Sequence, residues 1–268
     1  MGTVTTNDGV RLHWTEDGAG PAVVMVAGFN APATSWILQS DALVAAGYRA
    51  VAIDRRSHGE SEAPAFGQRI ARHAKDLRDA IESIGLDDVV LVGGSMGAST
   101  VWSYVDLFGT DRVRGIVSVD QTPRMLNDDG WQHGFYGYTD DNSGTLFREG
   151  VPDTGRGRAM DQSLPAIMRL LERLGDAANL RQEVAPELLP LLHDHTQQDW
   201  RDVIARVDVP VLMVAGRDSQ VWPAEHAAAA VADNPLGRHV VLEDCGHAAN
   251  IDQPDVFNAA LLGFLASL

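Results

Sequence analysis

Val89-Val90-Leu91-Val92-Gly93-Gly94-Ser95-Met96-Gly97-Ala98-Ser99 decides the reading of this chain. The run Val89 to Val92 has the branched, apolar make-up of a short buried strand, and Met96 to Leu107 that of a helix. A G-x-S-x-G spacing sits at the junction between them. A chain that reverses so tightly forces the central residue into strained backbone angles, and small residues two before and two after it relieve the clashes. Ser95 is thereby thrust out at the carboxyl edge of a sheet. It stands at a helix N-terminus whose amides and dipole favour a developing negative charge. A serine so placed is a candidate nucleophile.

Outward from this turn the pattern repeats. Val10 to Glu16, Ala22 to Val26, Arg49 to Ile53 and Val113 to Val119 read as strands on the N-terminal side, and Val209 to Ala215 and Arg238 to Leu242 as strands on the C-terminal side. Ile70, Leu77, Ile81 and Ile84 fall near one face of a helix over Ile70 to Ile84. Further helices are expected over Ala224 to Ala232 and Pro254 to Leu268. Strands alternating with amphipathic helices predict the α/β class, with a mostly parallel central sheet flanked by helices. Between 121 and 206 the alternation breaks. Polar, aromatic-containing loop material over Asn127 to Gly144 is followed by helical pieces near Leu164 to Leu174 and Glu187 to His193, with no convincing strand. The expectation is a core of residues 1–120 and 207–268 with a helical cap, residues 121–206, inserted between strands.

A serine hydroxyl is a weak nucleophile until a base takes its proton. Among nine histidines, His247 is the best base, because it follows a late strand in the loop Glu243-Asp244-Cys245-Gly246-His247 and would reach the same sheet edge. His13, His73, His193, His195, His226 and His239 lie on strands or helices in polar surroundings, where solvated rings are expected. His58 and His133 sit in loops that leave either role open. Two carboxylates compete to orient the base. Asp218 follows Val209 to Ala215 in Gly216-Arg217-Asp218, and Asp120 ends Val113 to Val119. The chain order Ser95, Asp218, His247 favours Asp218, with Asp120 as the alternative acid. Trp36, Trp131, Phe135, Tyr136, Tyr138 and Trp222 are candidates to line a substrate pocket or to pack the insertion on the sheet.

Composition excludes other classes. Twenty-one basic against 37 acidic residues give a net charge of −16 in 268 residues, which repels phosphate backbones and anionic lipid, so neither nucleic acid nor membrane is an expected partner. One cysteine, Cys245, makes neither an internal disulfide nor a cysteine-rich zinc site. The N-terminus lacks the basic start and apolar stretch of a signal peptide, and the expected location is the cytoplasm. His193-Asp194-His195 has metal-ligand residue types without a clear further partner and reads as a polar helix end. No dinucleotide or nucleotide fingerprint is present, and no cofactor or metal is expected.

These motifs together resemble the α/β-hydrolase fold, and within it the branch of small esterases, lactonases, perhydrolases and cofactor-free haloperoxidases. The resemblance runs from Val26-Ala27-Gly28-Phe29 through Asp54-Arg55-Arg56-Ser57-His58-Gly59-Glu60-Ser61, the Ser95 turn, Gly216-Arg217-Asp218 and Gly246-His247, and is weakest over the insertion. It implies an oxyanion hole made by the backbone N–H groups of Phe29 and Met96. Three positions depart from the usual pattern: Ala27 for His, Ser57 for Gly, and Gly94 for His or Gln. The relatives that open epoxides or remove halide use an aspartate nucleophile, whereas position 95 is serine. The resemblance implies a serine hydrolase cleaving a carboxylic ester, lactone or thioester of a small, apolar or aromatic substrate. Cofactor-independent oxygen chemistry is the alternative, since related dioxygenases carry their acid on the strand of Asp120. Carbon–carbon hydrolysis and a slow-turnover ligand receptor also fit the scaffold.

Overall fold

Strands whose residues are apolar at every position bury both faces, and the computed structural model, which describes residues 1–175 and 185–268, is built around such strands. In chain order the elements are β1 (Gly2–Thr5), β2 (Arg11–Asp17), β3 (Ala22–Val26), α1 (Ile37–Ala45), β4 (Arg49–Ile53), α2 (Ile70–Ile84), β5 (Val89–Gly94), α3 (Met96–Phe108) and β6 (Val113–Val119). After β6 come α4 (Met160–Leu174), α5 (Leu189–Thr196) and α6 (Arg201–Arg206), and the chain then continues through β7 (Val211–Gly216), α7 (His226–Ala230), β8 (Gly237–Leu242), α8 (Ala249–Asp252) and α9 (Pro254–Leu265). The eight strands form one sheet in the order β1-β2-β4-β3-β5-β6-β7-β8. β1, β2 and β4 pair antiparallel and every other neighbouring pair is parallel.

Alternation along the strands divides the core in two. Val24, Val26 and Leu91 face a layer holding Ile70, Leu77 and Ile81 of α2 and Val101 and Trp102 of α3. Val23, Met25, Val90 and Val92 face the opposite layer, with Leu43 of α1 and Phe257, Leu261 and Phe264 of α9. Helix α2 ends where Gly85 takes φ 72°, the left-handed cap that glycine adopts at least cost. Among the described residues no helix is long and apolar enough to cross a membrane.

Seven of the eight strands are as the sequence predicts, with boundaries moved by a residue or two. β1, α1, α6 and α8 went unread because each is short or carries weak apolar periodicity. The helix expected over Ala224 to Ala232 is shorter, His226–Ala230. The segment between β6 and β7 contains α4, α5, α6 and short 3-10 turns, with only isolated bridges among the described residues.

Candidate active site

The carboxyl ends of β5, β6 and β8 lie along one edge of the sheet, and three loops there bring Ser95, Asp120 and His247 together. Ser95 has φ 49° and ψ −127° at the junction of β5 and α3. The flanking glycines allow this because the turn presses against its neighbours: a Cβ on Gly97 would stand 2.2 Å from the Val26 carbonyl oxygen, and one on Gly93 2.5 Å from the Ala98 nitrogen. Asp120, leaving β6, also adopts a positive φ of 42°. Two adjacent strands thus each end in a residue held in an uncommon backbone state.

His247 Nε2 lies 2.9 Å from Ser95 Oγ, and Nδ1 lies 2.7 Å from Asp120 Oδ2. The carboxylate is fully buried. Burial alone would raise its pKa, but the His226 and His247 rings against it outweigh burial and hold it down to about 2. An ionised carboxylate only accepts, so Nδ1 carries the proton and Nε2 is left to accept from the serine hydroxyl. Asp120 is further fixed by the Gly216 amide at 2.9 Å and the Ser219 hydroxyl at 2.6 Å. His226 Nε2 stands 3.6 Å from its second oxygen. The Trp222 ring meets His247 edge to face at 5.2 Å and His226 likewise at 6.0 Å.

The carboxylate beside His247 therefore comes from β6, whereas the sequence reading favoured Asp218. Asp218 is engaged through its backbone: its amide donates to the Cys245 carbonyl and its carbonyl accepts from the Arg158 amide, both at 2.8 Å. The loop after β7 supplies donors instead, through Gly216 and Ser219, to the carboxylate on the neighbouring strand. The signal was present in the sequence as an apolar strand next to the nucleophile strand ending in aspartate, but chain order outweighed it.

Phe29 and Met96 both border the cavity at Ser95. Met96 opens α3, so its amide lacks an intrahelical acceptor. The loop holding Phe29 passes close to the serine, since a Cβ on Gly28 would lie 3.1 Å from Ser95 Cβ. A buried guanidinium grips this loop. Arg55 Nε donates to the Ala27 carbonyl at 3.1 Å and Nη2 to the Gly28 carbonyl at 2.6 Å, while its other contacts are His73 Nδ1 at 3.1 Å and His58 Nε2 at 3.0 Å. Burial lowers the Arg55 pKa to about 9, which leaves it charged at neutral pH. Because C=O and N–H point oppositely across a trans peptide, holding the Gly28 oxygen aims the Phe29 N–H away from Arg55.

Two of the three departures from the usual pattern, Ser57 and Gly94, are accommodated locally. Ser57 has φ 63°, the backbone state in which glycine is usual, and its hydroxyl accepts from Gln68 Nε2 at 2.9 Å. A Cβ on Gly94 would stand 3.1 Å from the Trp36 indole, so the ring fills space that a larger residue at 94 would claim.

A cavity of about 260 Å³ opens on Ser95 and His247 and is lined mainly by apolar side chains. Of the candidate pocket residues, Trp36, Phe135 and Trp222 line it. Trp131 packs elsewhere, its indole N–H bonded to the Arg124 carbonyl, and Tyr136 lies under the Arg156 guanidinium. Tyr138 is buried against Phe147. Met125, Phe147, Leu192 and His195 line the cavity and are not among the pocket candidates of the sequence, for want of any local pattern that marks a pocket wall. His73, His195 and His226, expected in solvent, are buried at 1%, 4% and 0% exposure. His58 serves Arg55, and His133 stacks edge to face on Trp131.

A family profile described as alpha/beta hydrolase fold matches residues 21–254. A non-heme chloroperoxidase of Streptomyces lividans is 30% identical over 293 aligned positions covering 100% of both chains. Among solved structures, the bromoperoxidase from Bacillus anthracis superposes with a TM-score of 0.81 at 25% identity, covering 99% of each chain. An esterase from Exiguobacterium antarcticum shares the fold with a TM-score of 0.78 at 23% identity over 98% of each chain. On this profile match, the sequence relatives and the structural superposition, the chain belongs to the α/β-hydrolase family, on its cofactor-free haloperoxidase and esterase branch.

Proposed function

We propose that the protein is a serine hydrolase acting on a carboxylic ester, lactone or thioester, with Ser95 as nucleophile, His247 as base and Asp120 as the orienting acid. The observation that carries the reading is the unbroken hydrogen-bond line from Ser95 Oγ through the His247 ring to Asp120 at the floor of an apolar cavity. His247 Nε2 takes the hydroxyl proton as Ser95 Oγ attacks the carbonyl carbon. The oxygen gains the negative charge and is received by the Phe29 and Met96 amides, each worth about 3 kcal/mol of transition-state stabilisation. The imidazolium then gives its proton to the departing alcohol or thiol, leaving the acyl group on Ser95. Water, deprotonated by the same ring, attacks the acyl carbon, and the acid leaves as Ser95 recovers its proton. The reaction draws on no metal or organic group. The described residues of the 121–206 insertion act as a cap over the site, contributing Phe135 and Phe147 to the cavity wall, while 176–184 lie outside the described residues.

One observation favours a second reading. With the acid on β6, the His247–Asp120 pair matches the arrangement that the sequence resemblance associates with base-only oxygen chemistry, in which the serine hydroxyl is dispensable. Turnover of p-nitrophenyl esters by the protein and by Ser95→Ala separates the two. Loss of activity in the alanine variant, with covalent labelling of the parent by a serine-directed phosphonate, is the expected result. Equal turnover by Ser95→Ala would exclude an acyl-enzyme.

A further inference from the structure

The walls of the cavity are apolar almost throughout, which makes its polar side chains informative. Besides the indole N–H donors of Trp36 and Trp222, which are also without a partner among the described residues, and apart from Ser95 and His247, they are Ser35, His195 and Asn250. Two of these are already engaged: the Ser35 hydroxyl donates to the Pro32 carbonyl at 2.7 Å, and the Asn250 amide donates to the Ser35 carbonyl at 3.2 Å and to Gln39 Oε1 at 3.3 Å. His195 is different. It is only 4% exposed, and among the described residues no hydrogen bond reaches either nitrogen of its ring; Nδ1 is wholly sealed from solvent.

The ring's placement is fixed by its neighbours in α5. Asp194 Oδ2 accepts from the Ile70 amide at the start of α2 at 2.8 Å, and Gln198 Nε2 donates to the Asp194 carbonyl at 2.8 Å. His193 Nε2 contacts the Phe147 carbonyl at 3.0 Å. Successive helical residues point about 100° apart, so anchoring 193 and 194 to two different elements commits 195 to the cavity. The triplet His193-Asp194-His195 is therefore a clamp with one free ring rather than a polar helix end. Burial, followed by the charges of Arg55 and His247, lowers the His195 pKa to about 3. At neutral pH the ring is uncharged, with one donor and one acceptor nitrogen.

We propose that His195 is the substrate-recognition residue of this cavity, hydrogen-bonding an uncharged hydroxyl or oxo group on the apolar body of the substrate, remote from the scissile carbonyl. The substrate class is then a small aromatic or alicyclic ester or lactone bearing one such group. A neutral imidazole neither attracts nor repels charge strongly, and no Lys or Arg is among the described residues that line the cavity. A buried polar group built to pair with a ligand discriminates strongly against the analogue that leaves it unpaired. The proposal rests on the ester-hydrolase reading for its choice of substrates.

The test compares ester pairs differing by one group: methyl phenylacetate with its 3- and 4-hydroxy derivatives, phenyl acetate with its 3- and 4-hydroxy derivatives, and a cyclohexyl ester with its 4-oxo derivative. The expected result is a kcat/KM at least ten-fold higher for one oxygenated member than for its parent. That ratio collapses toward one in His195→Leu and in the ring-sized His195→Phe, and is partly kept in His195→Gln. A purely structural role lowers both members of a pair together and leaves the ratio intact, which overturns the proposal, as does the absence of any preference in the parent protein. Calorimetric binding of the same pairs to Ser95→Ala keeps the two readings apart. If no ester is turned over, the hydrolase reading fails. Selective binding of an oxygenated member that His195→Phe abolishes still supports the His195 assignment, and equal or absent binding refutes it.

Discussion

At the scale of single residues, the site turns on which carboxylate faces His247. Asp120 takes the ring N–H at 2.7 Å and is braced by Gly216 and Ser219, while Asp218 serves through its backbone. Asp120→Asn retains shape but presents an amide that cannot fix the same tautomer, so kcat on a hydrolysed ester is expected to fall by roughly 10³–10⁴. Asp218→Asn should leave kcat within about three-fold, because an amide at 218 leaves the backbone contacts in place. Steady-state kinetics of both variants checks this, and the reverse order would restore Asp218. Ser95 and His247 were legible from the sequence because their signals are local: a glycine-flanked turn and a loop after a strand. The choice of acid was not, since both aspartates end strands at the same edge and differ only in the direction their loops turn.

At the scale of elements, two connections hold the machinery in register. The Ala27–Phe29 turn follows β3 and is gripped by Arg55, which comes from the loop after β4. Replacing Arg55 by Met frees the Gly28 carbonyl and lets the Phe29 amide swing. The expected result is a fall in kcat of roughly 10–10², with a much smaller change in KM, because a misaligned oxyanion donor is felt mainly in the transition state. Arg55→Lys should recover part of the loss by restoring one donor. An unchanged kcat in Arg55→Met would remove Arg55 from the positioning of the turn. Helix α5 is tied to α2 through the Asp194 carboxylate on the Ile70 amide. Asp194→Ala removes this cap, and a loss of about 1 kcal/mol is expected in urea unfolding. The three strands around the nucleophile and helix α2 were readable because their apolar periodicity is strong. The short α6 and α8 were not, because helices of one or two turns are stabilised by packing rather than by pattern.

At the scale of the whole molecule, buried imidazoles tie stability to pH. Burial, reinforced by Arg55, pushes the His73 pKa well below its ordinary value, and His195 is lowered to about 3. The unfolded chain binds these protons near pH 6.5 and the folded one does not. Stability is therefore full above that value and declines as pH falls through it, each ring adding to the slope, with His195 contributing until about pH 3. Asp120 acts lower: its depressed carboxyl contributes fully above the ordinary carboxylate range and loses that contribution as pH falls through about 2. Urea midpoints measured from pH 7.5 to 4.5 should fall steadily, and His195→Leu should flatten the slope. An equal slope in the variant would mean that His195 is protonated in the folded state.

The sequence by itself determined the alternation of strands and helices, the turn that exposes Ser95 and the loop that carries His247, because those features follow from hydrophobic period and from the steric demands of a few adjacent residues. It also carried the excess of acidic over basic residues, 37 against 21, from which the expectation of no nucleic-acid partner follows. Only the tertiary structure decided that Asp120 meets His247, that Arg55 holds the Phe29 turn, and that His195 reaches the cavity from a helix far along the chain. Each of those depends on where separate loops converge at one sheet edge, and such convergence is set by packing between distant segments, which no local run of residues encodes.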